Sequence, residues 1–83
     1  MPEKCFVYVL RSDPAPTRFY AGVTSNVSRR VATHNSGGSQ YTASLRPWRL
    51  VVALEFSTER SALAFERYLK TGSGRAFAKR HFK

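Results

Sequence analysis

Apolar and polar positions along the chain fall into six periodic segments separated by turn-forming residues. Cys5-Phe-Val-Tyr-Val-Leu10 is a continuous apolar run rich in β-branched and aromatic residues, the pattern of a strand covered on both faces. In such a strand Tyr8 shares a side with Phe6 and Leu10, opposite Val7 and Val9. Asp13, Pro14 and Pro16 end the run and stiffen the Arg11–Thr17 connection. Arg18–Val23 then returns, most simply antiparallel beside the first strand, with Phe19, Ala21 and Val23 alternating against Tyr20 and Gly22. Gly22 permits a sharp structural turn or a close backbone approach that a side chain would block. Ser25 or Asn26 can cap a helix over Val27–Asn35, whose Val27 and Val31 lie four apart, and Ser36-Gly37-Gly38 ends it.

Gly38–Pro47 reads as a long loop carrying Tyr41, Thr42 and Arg46. Trp48–Phe56 is the third strand, with Leu50, Val52, Leu54 and Phe56 expected on one face and Val51 and Ala53 on the other. Ser57 or Thr58 caps a helix over Glu59–Thr71, closed by Gly72. A last short basic helix, Arg75–Phe82, follows with Ser73 as its cap. The order is strand, strand, helix, strand, helix and a short C-terminal helix, in one domain spanning residues 1–83.

Charge changes the picture most. Fourteen Lys and Arg face five acids, a net charge of +9, and ten of the fourteen are arginine. That excess repels itself in a compact body, so a polyanionic partner is the economical explanation, and arginine suits bidentate phosphate contacts. Nucleic acid is favoured over a membrane surface, because no helix pairs a long apolar face with a basic one. No apolar run approaches the ~20 residues of a membrane span, and no secretory leader is recognised before the first strand. Cys5 is the lone cysteine, so a disulfide scaffold is excluded, a reducing cytoplasm is expected, and the residue reads as a small buried hydrophobe.

Candidate chemistry gathers at a few positions. Arg30 and His34 stand one helical turn apart on a face turned toward Tyr20, although the same residues also read as a half-buried tyrosine and two solvated helix positions. Glu66 falls on the stripe formed by Ala62, Phe65 and Leu69, where a carboxylate is costly unless it is paired or binds a cation. An ion pair with Lys70 is the alternative to a metal. Tyr41 either meets a sugar-phosphate backbone or plugs the core edge. Arg29, Arg46, Lys70, Arg75 and Lys79 are the further candidate nucleic-acid contacts. One Cys and two distant His are too few for zinc, and the only aspartate, Asp13, lies in a proline-rich turn unsuited to a Ser-His-Asp triad.

Tyr8 within Phe-Val-Tyr-Val-Leu, Tyr20-Ala-Gly22, Arg30 with His34-Asn35, Tyr41-Thr42, Pro47-Trp48 and Glu66 with Leu69-Lys70 resemble the pattern of the GIY-YIG nucleases, most closely their small stand-alone bacterial members. The resemblance runs from Phe6 to about Phe82. Val-Tyr-Val replaces the first triplet and Tyr-Ala-Gly the second, and Val23 stands where some relatives carry lysine or another polar residue. The resemblance implies an α+β fold, a β-β-α-β-α core with a three-stranded antiparallel sheet flanked by helices. It also implies divalent-metal-dependent endonuclease chemistry on DNA, leaving a 5′-phosphate and a 3′-hydroxyl. In that scheme Glu66 holds one Mg²⁺ or Mn²⁺ and Arg30 neutralises the phosphoryl oxygens. Tyr8 and Tyr20 hold or deprotonate the attacking water, and His34 assists the proton's departure. Nearby cations would have to lower the tyrosine pKa for that purpose. The competing reading is a non-catalytic basic module for DNA or RNA, with Tyr41, Trp48 or exposed phenylalanines stacking bases. No small-molecule cofactor or membrane is expected, and monomer and homodimer both remain open.

Overall fold

The computed structural model describes residues 4–82. Its elements are β1 (Cys5–Ser12), β2 (Phe19–Thr24), α1 (Val27–Asn35), a short 3-10 turn (Ala43–Leu45), β3 (Trp48–Phe56), α2 (Glu59–Leu69) and α3 (Gly72–His81). The apolar run chosen as the doubly covered strand is the centre of the sheet, in the order β2-β1-β3 with both pairings antiparallel. Alternation along β1 then sorts the core onto two sides. Cys5, Val7 and Val9 pack with Ala62 and Leu69 of α2 and with Phe77 and Ala78 of α3. Tyr8 and Leu10 pack with Trp48 and with Val27 and Val31 of α1. One helix therefore covers one face and two helices cover the other.

Three expectations are corrected in detail. Gly22 is not a turn: it lies inside β2 opposite Tyr8, and a Cβ there would sit 2.6 Å from the Tyr8 hydroxyl. Its purpose is the close approach, because the Tyr8 ring crosses the sheet where β2 has no side chain. The even face of β3 is also interrupted. Val9 pairs with Val52 but Leu10 pairs with Leu50, so Val51 is an extra, bulged residue. The bulge moves Leu50 and Trp48 to the Tyr8 side, while Val52, Leu54 and Phe56 stay on the α2 side. Finally, α2 ends two residues early and α3 begins three early. Thr71, not Ser73, caps α3, accepting the Gly74 N–H at 3.0 Å while its hydroxyl donates to the Tyr68 carbonyl at 2.6 Å. Gly74 sits so close to the Tyr68 backbone that any Cβ would collide with it, which makes the tight joint a glycine joint.

The remaining caps follow their chemistry. The Asn26 side chain accepts the Arg29 N–H at 3.0 Å and the Thr58 hydroxyl accepts the Ser61 N–H at 3.1 Å. Gly37, at φ 84°, takes the left-handed conformation just past α1. Cys5 is a free, buried member of the core.

Candidate active site

Four of the expected side chains meet on the α1 side of the sheet. Tyr8 comes from β1, Tyr20 from β2, and Arg30 and His34 from successive turns of α1. The three rings form a triangle, with Tyr20 centroids 4.8 Å from His34 and 6.2 Å from Tyr8. Tyr8 and His34 have no solvent-exposed surface. Their contact is a hydrogen bond of 2.9 Å between the phenol oxygen and Nε2. On the other side of the imidazole, Nδ1 lies 2.8 Å from the Thr42 Oγ1, and the Thr42 hydroxyl donates to the Ser39 carbonyl at 3.4 Å.

One protonation pattern satisfies every group in this chain. Tyr8 donates to Nε2, Nδ1–H donates to Thr42, and Thr42 donates to Ser39. A neutral imidazole is what the surroundings favour. Burial, and after it the Arg30 guanidinium, lower the His34 pKa below its ordinary 6.5. Burial raises the Tyr8 pKa above 10.0; the adjacent Arg30 pulls the other way and does not win. The expected lowering of the tyrosine by nearby cations is thus reversed, because the ring is fully enclosed. Arg30 is held above its already high value, chiefly by Tyr8, and so remains a fixed cation. Its Nε is shut off from solvent without an acceptor.

The loop after α1 is anchored to this cluster rather than loosely draped. The Asn35 side chain behaves like a neighbouring strand, accepting the Trp48 N–H at 2.6 Å and donating to its carbonyl at 3.0 Å. The Trp48 indole donates to the Thr42 carbonyl at 2.8 Å, and Ser12 donates to the Leu45 carbonyl at 2.7 Å. Trp48 is therefore a buried brace and is not available to stack bases. Tyr41, next to Thr42, is 91% exposed, which removes the core-plug alternative and leaves a free aromatic ring at the loop's crest.

Glu66 is placed differently. It lies on α2, the helix that covers the Val7–Val9 side, and it forms an ion pair with Lys70 one turn on. Its side chain is only 15% exposed, as its stripe predicted, but the charges that perturb Tyr8, Arg30 and His34 are one another and not this carboxylate. Tyr8, Tyr20, Arg30 and His34 are in mutual contact, and Glu66 comes from α2 with Lys70 as its ion-pair partner. Among the described residues no three His, Cys, Asp or Glu come together as a metal-binding group. Lys70, Arg75 and Lys79 line one cleft on the α2–α3 side, together with Arg11, Arg18 and the edge residue Tyr20. Arg29 and Arg46 are exposed at the two ends of α1, Arg46 lying over Gly37.

Comparison with known proteins places the fold in a family. Residues 4–80 match the model of the GIY-YIG catalytic domain. The chain is 39% identical over 71 residues to UPF0213 protein SH2523 of Staphylococcus haemolyticus, covering 84% of each chain. It is 45% identical over 73 residues to structure-specific endonuclease subunit SLX1 of Scheffersomyces stipitis, covering 80% of this chain but only 22% of the yeast protein. The solution structure of UPF0213 protein BH0048 from Bacillus halodurans superposes with a TM-score of 0.55 at 32% identity, covering 92% of this chain and 80% of that one. The chain spans about a fifth of the SLX1 proteins and most of the bacterial ones. With a tyrosine from each of two paired strands and Arg30 and His34 on the helix that follows, the chain belongs to the GIY-YIG catalytic domain family.

Proposed function

We propose that this chain is a divalent-metal-dependent endonuclease that hydrolyses DNA phosphodiester bonds, leaving a 5′-phosphate and a 3′-hydroxyl, in repair or recombination. The observation that carries the reading is the Tyr8–His34–Thr42 chain closed against the Arg30 guanidinium. Tolerance of sequence, with preference for branched or otherwise irregular DNA, follows from a small, strongly basic body and from the structure-specific class named for the SLX1 relatives.

Arg30 would bind a phosphoryl oxygen and offset the charge that builds there during in-line attack. The pKa directions support one proton path. Tyr8, raised, is a poor terminal base; His34, neutral, is a competent one. As the attacking water is deprotonated, its proton passes to the Tyr8 oxygen while the phenol's own proton passes to Nε2. The phenol stays neutral and the imidazole ends protonated. Tyr20, half-buried at the sheet edge, would orient the water. Thr42 acts through His34 and is a positioning residue.

The fit of a metal rests on Glu66. A half-buried carboxylate with one oxygen on an exposed lysine retains a second oxygen, and among the described residues it belongs to no group of three metal-ligating side chains. That donor set is wrong for zinc and suits a hard ion that keeps its waters and takes its remaining ligands from substrate phosphate. When bound by Glu66, Mg²⁺ or Mn²⁺ would supply positive charge to the scissile phosphate and the leaving oxygen.

Incubating labelled branched, nicked and linear DNA with the protein in Mg²⁺, Mn²⁺ or EDTA tests the reading. Cleavage is expected with either ion, absent in EDTA and absent for Glu66→Ala. Cleavage undiminished in EDTA would remove the metal. A binding module without chemistry is favoured by one observation, the complete enclosure of Tyr8. Tight DNA binding with no cleavage in any metal, unchanged in Glu66→Gln, would establish it instead.

A further inference from the structure

The cleft on the α2–α3 side encloses about 890 Å³ between the β1–β2 hairpin and the last two helices. Its floor is apolar, made by Val9, Ala21, Leu69 and Phe82, and its walls carry five basic side chains and no acid. Arg11, on one wall, has its Nε buried without an acceptor, the same condition as Arg30 in the catalytic cluster. Phe19, 39% exposed, offers an aromatic ring. Tyr20 belongs to both places, lining the cleft and touching the cluster from the edge strand β2. A strand of nucleic acid rounding that edge would therefore reach both.

Resting on the nuclease reading above, we propose that this cleft receives an unpaired nucleic-acid segment beside the scissile bond, the single-stranded arm of a branched substrate. Concavity and chemistry select that occupant. A volume of this order is that of a pocket for a molecule of drug size, ~300–1,000 Å³, which accommodates a nucleotide or two. A duplex can only lie across its mouth. Duplex rails are convex and polar, whereas a single strand wants cations for its phosphates and an apolar or aromatic surface for its unstacked bases. Arg11, Arg18, Arg75 and Lys79 supply the first, and Phe19 with the apolar floor supplies the second. Selectivity for branched DNA then comes from an arm that must be unpaired to enter.

The test uses fluorescence anisotropy in EDTA, so that binding is read without cleavage, with a labelled oligothymidine and a duplex of equal length. Phe19→Ser changes no charge and is expected to weaken oligothymidine binding at least fivefold while leaving duplex binding within twofold. Arg18→Gln, at an exposed position, is expected to weaken the single strand more than the duplex. With Mg²⁺ present, both variants should lose the preference for a flapped over a linear duplex. Equal losses on single and double strands, or no loss on either, would overturn the proposal. Absence of cleavage by the unaltered protein would remove the nuclease reading, and the anisotropy result would still decide what enters the cleft.

Discussion

Val7 and Val9 leave β1 on one side, Tyr8 and Leu10 on the other, and the two sides obey different rules. On the α2–α3 side the buried contacts are aliphatic and aromatic, among Val7, Val9, Ala62, Leu69 and Phe77. On the α1 side Tyr8, His34, Thr42 and Trp48 are each buried and each committed to a hydrogen bond. Apolar packing is non-directional and tolerates volume-conserving exchange. A buried polar network is strong only while every member keeps its partner. One central strand thus carries the stability of the fold on its odd residues and its proposed chemistry on its even ones.

Separating the two sides by mutation gives the largest expected effect. Arg30→Ala removes the cation beside Tyr8 and should lower cleavage at least ~100-fold, with a melting temperature near that of the unaltered protein. Val7→Ala is the counterpart. Losing two buried methyl groups should cost about 2 kcal/mol and about 10 °C in melting temperature, with turnover per folded molecule unchanged. Calorimetry and single-turnover cleavage on both variants would check the contrast. Equal destabilisation by both changes would show that the faces are not separable.

Gly22→Ala tests where the two sides touch. A Cβ 2.6 Å from the Tyr8 hydroxyl cannot be accommodated without moving the ring, and a ring with no exposed surface has nowhere to go. Overpacking of this kind costs about 1–3 kcal/mol. The displaced phenol would also break with His34, so cleavage should fall more than tenfold in the fraction that remains folded. A variant that melts early but cleaves at full rate would mean that the Tyr8–His34 bond is dispensable.

The legible part of this molecule was its periodicity. The apolar run at Cys5–Leu10, the caps at Asn26 and Thr58 and the i, i+4 pair Arg30–His34 are local signals, and each led to an element found in place. What escaped depended on contacts between distant residues. The β-bulge at Val51 exists because Leu50, not Val51, pairs with Leu10, and strand alternation alone continues straight through it. Thr42 was visible only as half of a Tyr-Thr doublet; no spacing rule connects it with His34 across a glycine-rich loop. Glu66 illustrates the converse. Its stripe was read correctly as half-buried, but which layer the stripe faces is decided by how α2 packs on β1, information absent from the helix itself.

Thr42 yields the finest test, because its hydroxyl meets the imidazole at Nδ1, away from the Tyr8 side of the ring. With Thr42→Val the imidazole Nδ1–H loses its acceptor, and the buried ring is driven toward the tautomer protonated on Nε2, which cannot accept from Tyr8. Cleavage should fall about tenfold, equivalent to about 1.4 kcal/mol in the barrier, and Thr42→Ser should restore it. Nitrogen chemical shifts of His34 would report the tautomer directly, a readout that simple loosening of the loop would not move. The pH dependence has a definite sign. His34 must be neutral to accept a proton, and burial with Arg30 depresses its pKa, so cleavage should hold level above 6.5 and decline only as pH falls through the lowered value. Folding stability shares that window, because the unfolded chain takes up the proton first: the contribution is complete above 6.5 and is lost as pH drops through the folded value. In Arg30→Ala the second cause of the depression is gone, so the His34 titration followed by NMR should move upward toward 6.5 without reaching it, burial remaining the larger cause.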